Sequence, residues 1–165
     1  MLFHHFFNLI HSFKTKNTKM KLILTLIFSF FLVSSFAQTT KNKAPEFAMG
    51  NFTDDYKITY TVNDTLWIQH PNTKYHIIKW NPELQYLIAK NDSNNKADAN
   101  KYTRIDYMTF TGMEPFKWGF CLTVYDAESD KVAEETAYVD RKNPKKGCNG
   151  YPFSRMKITE LKSTN

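Results

Sequence analysis

The chain has 165 residues and a formal net charge of +6, but its charges are unevenly distributed. Four of the 22 Lys and Arg residues lie before residue 38, whereas all 16 Asp and Glu residues follow it. The remainder has 18 basic and 16 acidic residues, a net charge of +2 that is typical of an ordinary soluble surface. This balance excludes the basic footprint of a nucleic-acid-binding protein, and we predict no nucleic-acid partner.

The N-terminal segment has the three parts of a signal peptide. Four lysines precede an apolar run at residues 22–36, LILTLIFSFFLVSSF, which is shorter than the roughly 20 residues of a transmembrane helix. Small residues at Ser35 and Ala37 match the positions that a signal peptidase reads. We predict a signal peptide over residues 1–37 and export, secreted or periplasmic, with no stable membrane span after cleavage. If translation begins at Met20, residues 1–19 are not part of the protein. The alternative to a cleaved signal peptide is a retained membrane anchor.

The rest of the chain has the size of one domain. Residues 38–46 are mostly polar, which predicts a flexible lead-in, and residues 47–165 form a single β-rich domain in this prediction. The only two cysteines of the chain, Cys121 and Cys148, both follow the leader. An isolated pair in an oxidising compartment predicts a disulfide, the alternative being two separately buried thiols.

Alternating apolar and polar residues, separated by Asn, Asp, Pro and Gly, predict an antiparallel meander of about seven strands. The predicted strands are residues 56–62, 65–70, 74–80, 85–90, 102–111, 116–126 and 153–161. The polar residues 91–101 predict a solvated loop, and apolar residues at helical spacing predict a short helix over residues 129–141. We expect a mainly β fold, a small barrel or a strongly curled sheet, because closure removes exposed edges. A sandwich is the alternative.

The order of these elements resembles the calycin group, which includes the lipocalins. Those proteins open with Gly-x-Trp at the first strand, and this chain has Gly50-Asn51-Phe52 there, with Phe in place of Trp. They also carry a late Arg that packs across the opening aromatic residue, and Arg155 is the counterpart by position. The resemblance implies a barrel that binds a small apolar molecule in its interior.

The strand over residues 116–126 carries the most apolar face of the chain. It places Phe116, Trp118, Phe120, Leu122 and Val124 on one side, which we assign to the core. On the preceding strand, Arg104 and Asp106 share a face with aromatic residues. If that face is inward, Arg104 suits the carboxylate of an apolar ligand; if it is outward, the two form an exposed ion pair. The candidate ligand-binding residues are Trp118, Phe120, Arg104, Tyr102 and Phe110.

Two functions remain open at this stage. The first is binding of a small apolar ligand, which requires a cavity of a few hundred Å³. The alternative is an interaction or envelope accessory module that acts through an exposed aromatic patch of Trp67, Tyr75 and Trp80. The basic residues near the C-terminus either meet an anionic partner or stay solvated. These are Arg141, Lys142, Lys145, Lys146, Arg155 and Lys157.

Candidate catalytic and metal-ligating residues are few. His70 and His76 could face each other across a hairpin, but two ligands are fewer than a zinc site needs. Adjacent Asp54 and Asp55 point to opposite faces of a strand and fit solvated turns better than catalysis. The same interpretation applies to Asp126, Glu128 and Asp130. We therefore predict no enzymatic activity, no metal and no cofactor.

Overall fold

Eight antiparallel strands form a closed barrel in which every strand pairs with its sequence neighbours and β1 pairs with β8. The computed structural model describes residues 43–136 and 139–159, so the predicted signal peptide lies outside the described residues. The strands are β1 (Gly50–Asp54), β2 (Thr59–Val62), β3 (Leu66–Gln69), β4 (Thr73–Asn81), β5 (Tyr86–Asn91), β6 (Tyr102–Thr109), β7 (Trp118–Ala127) and β8 (Ser154–Ile158). A 3-10 helix, η1 (Glu46–Ala48), precedes β1, and helix α1 (Asp130–Thr136) follows β7.

The predicted mainly β barrel is confirmed, with one strand more than the sequence indicated. The additional strand is β1, and its Phe52 pairs with Tyr60 on one side and with Ile158 of β8 on the other. Strand β2 begins at Thr59, three residues later than predicted, because Asp54 forms a turn before it. The carboxylate of Asp54 accepts the backbone N–H groups of Tyr56 and Ile58 at 2.9 and 2.8 Å.

Aromatic side chains fill the interior of the barrel. The Trp67 ring lies 5.0 Å from that of Phe120, and both pack edge-on against Tyr60. Tyr75, Trp67 and Trp80 are almost fully buried, so the exposed aromatic patch predicted for these three residues is wrong. The reason is closure: alternate residues of β3 and β4 point into the barrel, where Trp67 lies opposite Tyr75.

A β-bulge in β7 divides its apolar residues between the two faces of the sheet. The β6–β7 register shifts between Arg104, opposite Val124, and Ile105, opposite Leu122. Upstream of the bulge, Trp118 and Phe120 point inward as predicted. Downstream of it, Val124 packs against the outer cluster under α1, so its predicted place on the same face as Trp118 is wrong. Such a bulge adds one residue to a strand and reverses the alternation beyond it.

Helix α1 covers the outer face of β5, β6 and β7. Its Ala133 is fully buried against Tyr86 and Ile88, which point away from the barrel interior. The helix ends at Thr136, whereas the sequence predicted a helix to residue 141. By Asp140 the chain has entered a turn, in which the Asp140 N–H donates to the carbonyl of Gly147.

The predicted disulfide is confirmed. Cys121 and Cys148 are bonded, with their Cα atoms 5.5 Å apart. Cys121 points outward because its neighbour Phe120 points inward, so the segment carrying Cys148 crosses the outer surface of β7. The bond thereby attaches the connection between α1 and β8 to the barrel wall.

Removing this disulfide should lower the free energy of unfolding by about 2 to 4 kcal/mol, because the bond restricts the unfolded chain. The variant is the double substitution Cys121→Ala with Cys148→Ala, and the measurement is urea denaturation followed by tryptophan fluorescence. The oxidised protein, before and after reduction, is the matched control. Equal urea midpoints for the variant and the oxidised protein would contradict this expectation.

Candidate functional site

A cavity of about 520 Å³ lies at the end of the barrel where η1 and the β6–β7 connection meet. Most of its wall is apolar, and three charged residues complete it. The apolar residues are Phe47, Phe52, Pro115, Trp118, Met156 and Ile158, and the charged ones are Glu114, Lys117 and Lys157. An apolar hollow with a few polar groups is the usual form of a small-molecule site.

The strand register explains why three strands share this wall. Trp118 of β7 lies opposite Met156 of β8, and Ile158 of β8 lies opposite Phe52 of β1. The rings of Phe52 and Trp118 meet edge-on with their centroids 5.1 Å apart. Met156 is fully buried, whereas 69% of Ile158 is exposed, so the wall runs from the core to the surface.

Phe47 forms the fourth side of the cavity. It lies on η1, whose Ala48 is buried. Just before η1, the Ala44 N–H donates a hydrogen bond to Asp64 Oδ1 at 2.9 Å. The Phe47 ring packs edge-on against Tyr107 at 6.0 Å and Trp118 at 5.9 Å. The side chain nevertheless remains 38% exposed.

Two buried polar atoms beside Phe47 have no hydrogen-bond partner among the described residues. They are the hydroxyl of Tyr107 and the indole Nε1 of Trp118. Burial, the main cause, raises the pKa of the Tyr107 hydroxyl to about 12, so this group is protonated at neutral pH. Buried donors are normally paired, so two unpaired ones at one end of a barrel require an explanation.

The structure separates the five residues that the sequence suggested for ligand binding. Trp118 lines the cavity, whereas Phe120 packs against Trp67 in the barrel interior and is not part of the cavity wall. Phe110 lies outside the barrel, where its ring packs over Gly119 and occupies the space that a side chain at that position would need. Tyr102 also lies outside it, where it packs against the cluster under α1.

Arg104 is the fifth of these residues, and it too points outward, but its ion pair with Asp106 is not the exposed one expected for that orientation. Asp106 is fully buried. Its carboxylate accepts four hydrogen bonds at 2.6–2.9 Å, from Arg104 Nε and Nη2, Arg141 Nη2 and Thr123 Oγ1. Arg104 also stacks on the ring of Tyr86 at 4.0 Å. The helix and the Arg141 segment cover this network, which connects them to the barrel wall.

A second polar contact attaches α1 to the barrel. Glu134 accepts hydrogen bonds from Lys79 and from the hydroxyl of Tyr86. The bond from Lys79, followed by that from Tyr86, lowers the pKa of the Glu134 carboxyl. Together with the buried Asp106, this contact gives the outer face of β4–β6 a structural role.

The late arginine of the family resemblance has a different partner in the structure. Arg155 stacks on Phe116 at 4.8 Å and donates to Asp55 at 2.8 Å, so its predicted packing across the first-strand aromatic Phe52 is wrong. Asp54 is also not in a solvated turn as predicted. It is buried, and it accepts a hydrogen bond from the hydroxyl of Tyr60 at 2.9 Å.

No protein-family model matches this chain, and no curated protein or solved structure matches it either. The closed eight-stranded antiparallel barrel is compatible with a calycin-like fold. Function therefore has to be argued from the cavity and its side chains.

The two histidines lie apart. His70 contacts Thr61 at 2.9 Å, and His76, which lies opposite Leu66 in the hairpin, contacts Asp92 at 2.7 Å. The bond to His76, as the largest cause, lowers the pKa of the Asp92 carboxyl to about 2. Within residues 43–136 and 139–159, no three His, Cys, Asp or Glu side chains are grouped as metal ligands.

No helix in the part of the chain that the structure describes is long and apolar enough to cross a membrane.

Sequence reasoning missed most of the cavity wall. Phe47 was assigned to the start of the domain without a role, and Pro115, Met156 and Ile158 were not singled out. The alternation in residues 153–161 could have placed Met156 and Ile158 on one face of β8. Nothing in the sequence pattern indicates that this face meets Phe52 and Trp118, since that depends on how the barrel closes.

Proposed function

We propose that this protein is an exported binding protein whose barrel-end cavity takes a small apolar ligand. The observation that carries the proposal is the cavity itself, about 520 Å³ in volume, with walls of Phe52, Trp118, Met156 and Ile158. Ligand pockets in proteins typically measure about 300 to 1,000 Å³. Export is the part of the proposal supported by the apolar run and cleavage pattern in residues 1–37.

The location of the cavity refines the interpretation taken from the sequence. The centre of the barrel is filled by the rings of Tyr60, Trp67 and Phe120, so the ligand would enter from the end that carries Phe47. We retain a calycin-like fold as part of the proposal, supported by the up-and-down order of the eight strands. The ligand would then lie at one end of the barrel rather than along its axis.

The charged groups indicate how a ligand would be oriented. Lys117 and Lys157 line the cavity together with Glu114, and neither lysine forms a salt bridge within the described residues. Long lysine side chains place their stems along apolar surface and their ammonium groups in water. The apolar part of a ligand would therefore lie inside, and any solvent-exposed polar group would lie near the lysines.

Filling the cavity should abolish binding without affecting the fold. Ile158→Trp is the variant of choice because Ile158 is largely exposed, so a larger ring can enter the cavity without displacing core residues. The probe is the neutral dye N-phenyl-1-naphthylamine, whose fluorescence rises in apolar surroundings. We expect the unsubstituted protein to bind the dye and Ile158→Trp to bind it at least tenfold more weakly.

The matched control is Val132→Trp, which adds the same ring at an exposed position of α1, outside the cavity wall. It should bind the dye like the unsubstituted protein, and both variants should keep the melting temperature within a few degrees. The proposal fails if the unsubstituted protein does not enhance dye fluorescence, or if both tryptophan variants bind the dye equally well.

A further inference from the structure

We propose that the ligand carries an uncharged hydrogen-bond acceptor, such as a carbonyl oxygen, which binds the indole N–H of Trp118. This N–H is one of two donors that are unpaired among the described residues and whose rings contact Phe47; the other is the hydroxyl of Tyr107. This inference rests on the proposed function, because it assigns the chemical class of the ligand for the same cavity. The apolar wall then holds the body of the ligand, and the Trp118 indole binds the acceptor at its inner end.

The unpaired state of these two donors is the main observation. Trp118 is 2% exposed and Tyr107 is 1% exposed, yet neither polar atom has a partner among the described residues. Elsewhere the barrel does pair such groups. The indole of Trp80 donates to the Asp64 carbonyl at 2.8 Å, and the hydroxyl of Tyr60 donates to Asp54 at 2.9 Å.

A buried donor that stays unpaired destabilises the folded chain. Such groups require an explanation, and we assign the missing partner of Trp118 to the ligand. Both groups belong to rings that contact Phe47, and one of those rings, that of Trp118, lines the cavity. The two rings that carry the unpaired atoms therefore share one neighbour, Phe47, which is itself part of the cavity wall.

Phe47 is the side chain that a ligand would have to move. Its ring touches both donor rings and also forms part of the cavity wall. It lies on a single turn of 3-10 helix that has no side-chain hydrogen bond at its N-terminal cap. A ligand that replaced the Phe47 ring would contact Trp118 and Tyr107 directly.

The chemistry of the two donors favours a neutral oxygen. A carbonyl oxygen accepts hydrogen bonds and carries no charge, so it suits either an indole N–H or a tyrosine hydroxyl as donor. The Tyr107 hydroxyl is protonated at neutral pH and is able to donate. A carboxylate buried at the same point would have to lose its hydration, which is far more costly than for a neutral group.

The test compares two probes of nearly identical shape, benzophenone and 1,1-diphenylethylene, in which a CH₂ group replaces the carbonyl oxygen. Both are titrated into the ¹⁵N-labelled protein while the three indole N–H signals are recorded, and the signal missing in Trp118→Phe identifies Trp118. We expect benzophenone to bind about tenfold more tightly and to move the Trp118 indole proton downfield, as a new hydrogen bond does. In Trp118→Phe the two probes should bind with similar affinity.

The outcomes separate this inference from the proposed function. Equal affinity of the two probes for the unsubstituted protein, with an unmoved Trp118 signal, would overturn the inference while leaving an apolar cavity that binds both. Absence of binding by both probes and by the naphthylamine dye would overturn the proposed function and the inference together. Because the comparison is made first on the unsubstituted protein, loss of folding in Trp118→Phe cannot hide either result.

Discussion

Replacing Asp106 by Asn should lower the free energy of unfolding by about 3 to 5 kcal/mol, because it removes the carboxylate that pairs with both Arg104 and Arg141. Asp106 is fully buried, and Asn keeps its volume, so the change in charge is the main effect. The guanidinium groups of Arg104 and Arg141 would then lose the carboxylate that both contact. The measurement is urea denaturation of the oxidised protein at neutral pH.

A matched control separates this loss from the general effect of removing an acidic residue. Asp126 is exposed near the end of β7, so Asp126→Asn should change the free energy of unfolding by less than about 0.5 kcal/mol. If Asp106→Asn were as stable as Asp126→Asn, the buried network would not be what holds the Arg141 segment against the barrel.

Replacing Trp67 by Ala should also lower the free energy of unfolding by about 3 to 5 kcal/mol, since a large side chain is removed from a filled interior. The Trp67 ring contacts Tyr60, Trp118 and Phe120 with centroids 5.0–6.0 Å apart. No wall of the barrel can move in to occupy the space without breaking strand pairing. Thermal denaturation followed by circular dichroism provides the measurement.

Tyr151→Ala is the control for this experiment, because Tyr151 is an aromatic residue of which 73% is exposed. Its melting temperature should remain within about two degrees of that of the unsubstituted protein. A Trp67→Ala variant that kept its melting temperature would mean that Trp67 lies on the surface, and the exposed-patch hypothesis for this residue would have to be restored.

Local alternation predicted most of the strands because half-buried β-structure repeats every two residues. It failed where the pairing itself changes that repeat. The bulge in β7 moves Val124 to the outer face, and this depends on how β6 and β7 are aligned rather than on either sequence alone. The alternation does not indicate β1 as a full strand, because its first two positions, Gly50 and Asn51, are both exposed.

Inside and outside were harder to assign than strand positions. Trp67, Tyr75 and Trp80 have the same alternation whether their face lies in a closed barrel or on an open surface, so the pattern could not distinguish the two. Arg104 was assigned only conditionally, and its partners explain why. Arg141 lies 37 positions later in the chain, and Arg104 donates to the carbonyl of Glu134 in α1. The burial of Asp106 therefore depends on contacts that no local pattern encodes.

The candidate site was the least predictable part. Its wall combines η1 and β1 with β7 and β8, which begin about 70 and about 100 positions after β1. Strand β8 meets β1 only when the barrel closes. The sequence identified Trp118 through the apolar face of β7. It could not identify the cavity beside it, because empty space results from imperfect filling between distant strands.

Strand β8 is both a cavity wall and the strand that closes the cylinder, and it is held by only three residue pairs on each side. Local opening of a protein occurs first in the elements with the fewest contacts. Among the barrel strands, we therefore expect the amide hydrogens along the β8 seam, where β8 pairs with β1 and β7, to exchange first. Met156 and Ile158 would leave with it, and the cavity would lose one side. If the cavity binds a ligand as proposed, its occupancy and slow exchange along this seam are thermodynamically linked, and the bound molecule would hold the cylinder shut.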